Sequence, residues 1–66
     1  MKRKLLSSVW GYLDDQRFIE IPPGEIVEPT NITIGGRIRV HWSGNTEGMG
    51  LLMVDKAELE SCAVPV

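Results

Sequence analysis

Arg37, Arg39 and His41 occupy every second position of RIRVH, a spacing that puts all three on one face of an extended chain. Two fixed cations and an imidazole held side by side suit an anionic counterpart, either an acidic protein surface or a row of phosphates. A plainer role is open to them as well: Glu20 or Glu25 on a neighbouring strand would make ordinary cross-strand pairs, each worth roughly 0.2–1 kcal/mol.

The aromatic residues form the second group. Trp10, Tyr12, Phe18 and Trp42 could offer a stacking platform for a base or a proline-rich peptide. Trp42 lies in phase with Ile38 and Val40, which assigns it to the core. If the segment around Trp10 is helical, Trp10 and Tyr12 point about 200° apart and one of them is exposed. An exposed aromatic on a short element suits a contact with another subunit.

Other chemistries find little support. His41 and Cys62 are the only soft metal ligands, whereas a structural zinc site wants four, so no metal and no cofactor is implied. A nucleophile oriented by His41 would have to be a serine or Cys62, and Cys62 falls in a short tail; enzyme activity is not expected. One catalytic route stays open, in which a symmetric oligomer repeats His41 around a central pore. Gly44 to Gly50 carries three glycines but lacks the Lys-Ser or Lys-Thr ending of a phosphate-binding loop. Asn31-Ile32-Thr33 fits a glycosylation acceptor, yet with no secretion signal it carries no weight. Cys62 is one position too far from the end for prenylation, and the closing AVPV has valines spaced as in peptides captured at a sheet edge.

Several elements must position these residues. Leu5, Leu6, Val9, Trp10 and Leu13 fall along one side of a helix, which predicts an amphipathic N-terminal segment over 1–15. Its charges oppose the helix dipole, with Lys2, Arg3 and Lys4 at the start and Asp14 and Asp15 at the end. Val9 to Leu13 also reads as a strand, since Gly11 costs a helix about 1 kcal/mol. Phe18 to Ile21 is extended and is stopped by Pro22-Pro23-Gly24; Ile26-Val27 is a second short piece that Pro29 should end. From Ile32 the alternation becomes clear, with Ile38, Val40 and Trp42 inward and Arg37, Arg39 and His41 outward. Met49 to Val54 returns as an apolar strand and completes a hairpin. Asp55 to Glu60 suits one helical turn, with Asp55 as cap and Glu58 in the capping-box position. The tail 61–66 should fray unless a partner or a sheet edge takes it up.

The run ITIGGRIRVHWSG, a glycine-bearing turn, an apolar strand and a closing AELE resemble small SH3-like barrels over residues 32–60. The resemblance implies a mainly β fold, a bent barrel of about five short strands over 16–60 closed by a short helical turn; the N-terminal helical segment departs from that pattern, as an added helix or an oligomer contact. Such barrels serve as adaptors, nucleic-acid binders and complex subunits, so the shape is narrowed more than the task.

Composition bounds the partners. Sixty-six residues make one domain with a thin folding margin, which a protein partner or a homo-oligomer could reinforce. Seven basic against nine acidic residues give a formal charge of −2, which argues against a surface wholly devoted to nucleic acid. A lone cysteine fits a reducing, cytoplasmic setting, and no apolar run is long enough to span a membrane. The leading expectation is a noncatalytic protein-binding module, an adaptor, complex subunit or inhibitor, that uses Arg37, Arg39, His41, Trp10 and Tyr12. The alternative is a nucleic-acid-binding barrel that contacts phosphates through Lys2, Arg3, Lys4, Arg37, Arg39 and His41.

Overall fold

The computed structural model describes residues 1–14, 16–44 and 52–66. Its elements in chain order are β1 (Arg3–Leu5), β2 (Val9–Tyr12), β3 (Phe18–Ile21), β4 (Ile26–Ile34), β5 (Arg37–His41), β6 (Met53–Asp55), α1 (Lys56–Cys62) and β7 (Ala63–Pro65). The strands join antiparallel in the order β3-β2-β6-β5-β4-β1-β7.

The protein is mainly β, but the expected barrel of about five strands is not what forms. The described residues make a seven-stranded sheet whose end strands, β3 and β7, do not pair with each other. The sheet nevertheless curls strongly. Leu5 and Ala63 come from one end of the strand order, Val9 and Ile21 from the other, and all four join a single buried cluster with Val27, Val40, Leu52, Val54 and Leu59. Curling lets so short a chain enclose a core without a second sheet.

The N-terminal helix is also replaced. Residues 1–15 contribute β1 and β2, and β1 is an interior strand between β4 and β7. The helical reading required Leu6 and Trp10 to share the buried side, and both are exposed; Leu5, Val9 and Gly11 are the buried ones. Two short strands separated by a bend at Leu6-Ser7 satisfy that burial. The strand alternative for Val9 onward is the one the chain adopts.

Pro29 does not end its strand. β4 continues to Ile34, with an irregular register between Pro29 and Thr33. The continuing β1–β4 register sets Pro29 beyond the start of β1, so its missing N–H breaks no ladder bond there. The β4–β5 hairpin closes through Gly35 and Gly36, with φ of 58° and 80°, the paired positive angles of the two-residue turn that matches strand twist.

Of the 61–66 tail, residues 61–62 end α1 and the rest is taken up by the sheet. Ala63–Pro65 pairs with β1, and the Val66 N–H donates to the Lys2 carbonyl at 3.1 Å. Asp55 precedes α1 with extended backbone but makes no side-chain cap bond. The capping box is absent because Glu58 is engaged elsewhere: its carboxylate accepts from the Trp10 backbone N–H at 3.2 Å. β6 gives way to α1 next to Trp10, and Glu58 takes the place of the missing strand partner. Of the expected strand Met49 to Val54, residues 49–51 lie outside the described residues; so does most of the Gly44 to Gly50 loop.

Candidate interaction face

Register assigns the side chains to faces. Val9 opposite Ile21 and Ile38 opposite Val54 look toward the core, so the residues between them look outward. On that outer face Phe18 lies opposite Tyr12, Tyr12 opposite Met53, and Met53 opposite Arg39. These four side chains form one row across β3, β2, β6 and β5. The neighbouring row holds Trp10 opposite Glu20, and Arg37 opposite Asp55. His41, exposed, ends the β5 stripe opposite Glu28.

Arg37, Arg39, His41, Trp10 and Tyr12, drawn from two distant segments, thus share one face, because β6 inserts between β2 and β5. The Arg37 guanidinium carbon sits 3.8 Å from the Tyr12 ring centroid. Trp10 and Phe18 meet edge to face with centroids 5.2 Å apart, and Tyr12 and Phe18 are tilted at 6.4 Å. These separations are those of favourable aromatic pairs. Trp10 remains 46% and Phe18 57% exposed, so the cluster is a surface feature and not an extension of the core.

The expected cross-strand partners of the arginines are elsewhere. Glu20 stands opposite Trp10, and the Glu25 carboxylate accepts from the Trp42 indole N–H at 2.9 Å. Asp55 and Glu28 hold the positions opposite Arg37 and His41. The face is therefore mixed in sign, with acids interspersed among its cations. Trp42 itself is half-buried and packs against the core cluster.

The basic N-terminal cluster is divided by the alternation of β1. Lys4 points outward between Ile26 and Val64, while Arg3, opposite Val27 and Pro65, takes the side of buried Leu5. β4 separates β1 from the Arg37 stripe, and Lys2 lies just outside β1. Lys2, Arg3 and Lys4 do not converge with Arg37 and Arg39 into one patch.

Met53 is the member of the face that sequence reasoning placed on a strand but not at a surface. Its position between buried Leu52 and Val54 was the available signal, since their alternation leaves it pointing out. Among the described residues no three histidine, cysteine or acidic side chains group as a metal site, and no helix is long and apolar enough to cross a membrane. No family model matches the chain, and neither a curated protein nor a solved structure matches it.

Proposed function

We propose that this chain is a small noncatalytic module that binds another protein through the outer face of β3, β2, β6 and β5. The observation that carries this reading is the Arg37–Tyr12 stack within an exposed aromatic group. Tyrosine, tryptophan and arginine are the side chains that dominate binding energy when an interface desolvates them. Here they are already ordered against one another, which lowers the entropy lost on association.

The distribution of charge supports a protein in preference to a nucleic acid. A phosphate-reading surface gathers cations, whereas Glu20, Asp55 and Glu28 alternate with the cations of this face. The nucleic-acid alternative also needs Lys2, Arg3 and Lys4 to act with Arg37 and Arg39, and β4 separates β1 and its flanking Lys2 from β5.

The test compares capture by tagged protein with capture by the Arg37→Glu/Arg39→Glu variant in extract of the native cell. A partner retained by the first and lost by the folded variant is the expected result. An identical set of partners on both would remove the face from the reading. Binding to generic DNA or RNA that weakens steeply with salt would favour the alternative.

A further inference from the structure

The two ends of the sheet are not equivalent. In β7 the hydrogen bonds to β1 fall at Cys62, Val64 and Val66, as the Leu6 N–H to Cys62 carbonyl and Val66 N–H to Lys2 carbonyl contacts fix the phase. Ala63 and Pro65 therefore turn their backbone groups away from the sheet, and Pro65 has no N–H to offer. Proline at an outward-turned position is a recognised way to close an edge strand to further pairing.

In β3 the outward positions Phe18 and Glu20 hold no proline, and Pro22 comes only after the strand's last residue, Ile21. The Leu13 N–H donates to the Arg17 carbonyl at 2.8 Å, which makes Gly11–Ile19 and Val9–Ile21 the hydrogen-bonded pairs of the β2–β3 ladder. The Trp10 N–H, which points to Glu58 on the opposite side, confirms that phase. The N–H and C=O groups of Phe18 and Glu20 consequently face outward along the free side of β3, and no described residue pairs with them. Directly beside them stand Trp10 and Tyr12 of the aromatic cluster.

We infer that an extended segment of the partner protein adds to β3 as an eighth strand, pairing with the backbone of Phe18 and Glu20. This deepens the proposed function and rests on it for the partner being a protein. A row of unpaired backbone donors and acceptors is complementary to another extended backbone. Side chains then set the preference: an apolar residue opposite Phe18 and, two positions away on the same face, a lysine or arginine opposite Glu20.

A second copy of this chain fits the edge less well. The antiparallel register that uses both residues of each copy sets Glu20 opposite Phe18 twice. The register centred on Glu20 faces two carboxylates and runs into Pro22. The one centred on Phe18 runs into Gln16, whose N–H is already donated to Asp14.

The test uses the blocked peptide acetyl-Thr-Lys-Thr-Val-Thr-Val-amide, which antiparallel to β3 sets its Lys opposite Glu20 and its first Val opposite Phe18, and the counterpart with Glu in place of Lys, followed by Trp fluorescence and amide hydrogen exchange. The lysine peptide should bind about two- to fivefold more tightly than the glutamate peptide, the range of an opposite-charge cross-strand pair. It should slow exchange at Phe18 and Glu20 and leave Ala63 unchanged. Glu20→Lys keeps the backbone and should invert the preference; Glu20→Pro removes an outward N–H without touching the β2 ladder and should weaken binding about tenfold. Absence of protection at Phe18 and Glu20, or an unchanged preference in Glu20→Lys, would overturn strand addition. A concentration-dependent dimer abolished by Glu20→Pro would overturn it in favour of a second copy. If neither peptide docks while capture still depends on Arg37 and Arg39, strand addition alone is lost and the binding face stands.

Discussion

The guanidinium carbon of Arg37 rests 3.8 Å from the centre of the Tyr12 ring, so a cation on β5 caps an aromatic on β2 across the intervening β6. The contact ties the two segments of the proposed face together. A double-mutant cycle with Arg37→Ala and Tyr12→Ala should give a coupling of about 0.5–1 kcal/mol in urea unfolding, the range of partly exposed cation–π pairs. Arg37→Lys should keep only part of it, because an ammonium cannot lie flat on the ring. A coupling indistinguishable from zero would mean that the two groups are adjacent without being energetically linked.

Gly11 and Leu52 make a second close relationship, inside the sheet. A Cβ built on Gly11 would fall 2.6 Å from Leu52 Cδ1 and 3.3 Å from Ile21 Cδ1, and both partners are fully buried. Leu52 occupies the space that a side chain on β2 would need. Gly11→Ala should therefore destabilise the fold by about 1–3 kcal/mol through overpacking, despite the usual gain on replacing glycine in a strand. Combining it with Leu52→Val should recover part of the loss in thermal unfolding. A Gly11→Ala variant as stable as the parent would show that the core yields at this point.

The same glycine explains much of what the sequence concealed. Leu5 and Val9, four apart, fit one face of a helix, but they fit equally two short strands joined by a bend. Only the later position of Leu52 makes Gly11 a packing requirement, and that contact spans the chain. Arg37 to His41, by contrast, was legible in isolation, because strict alternation of aliphatic and polar residues has one meaning on a sheet. The convergence of Trp10 and Tyr12 with Arg39 depends on β6 pairing between β2 and β5. Such pairing is set by the whole curled sheet and leaves no local trace. Closure is hidden for the same reason: nothing near Phe18 or Pro65 records whether the two edges meet.

Trp42 and Glu25 yield a prediction that separates hydrogen bonding from charge. The indole N–H donates to the Glu25 carboxylate at 2.9 Å, and the ring lies so close to Gly44 that a Cβ there would approach it within 2.4 Å. Glu25→Ala should cost about 1 kcal/mol by leaving a part-buried donor unsatisfied, while Glu25→Gln should cost less because an acceptor remains. Gly44→Ala should displace the ring and shift the tryptophan emission, with Trp10→Phe as background to isolate Trp42. Equal losses in Glu25→Ala and Glu25→Gln would assign the effect to charge.

Asp14 organises the turn between β2 and β3 and should make that turn sensitive to acid. Its carboxylate accepts from the backbone N–H groups of Gln16 and Arg17, each at 2.8 Å, and from Arg17 Nε at 2.8 Å. These hold its pKa below the ordinary carboxylate value, the Gln16 backbone bond most strongly and the Arg17 side chain next. A depressed folded pKa contributes stability that is present above the unfolded value and is lost as pH falls through the folded one. The turn should thus be intact at neutral pH and through the range where free aspartates protonate, and should loosen only under more acidic conditions. Amide shifts of Gln16 and Arg17, followed by NMR as pH is lowered, should move together with the Asp14 carboxyl carbon. Asp14→Asn should abolish that shared transition, since its amide can accept a hydrogen bond but cannot titrate. Were the two amides to titrate unchanged in Asp14→Asn, some other carboxylate would govern the turn.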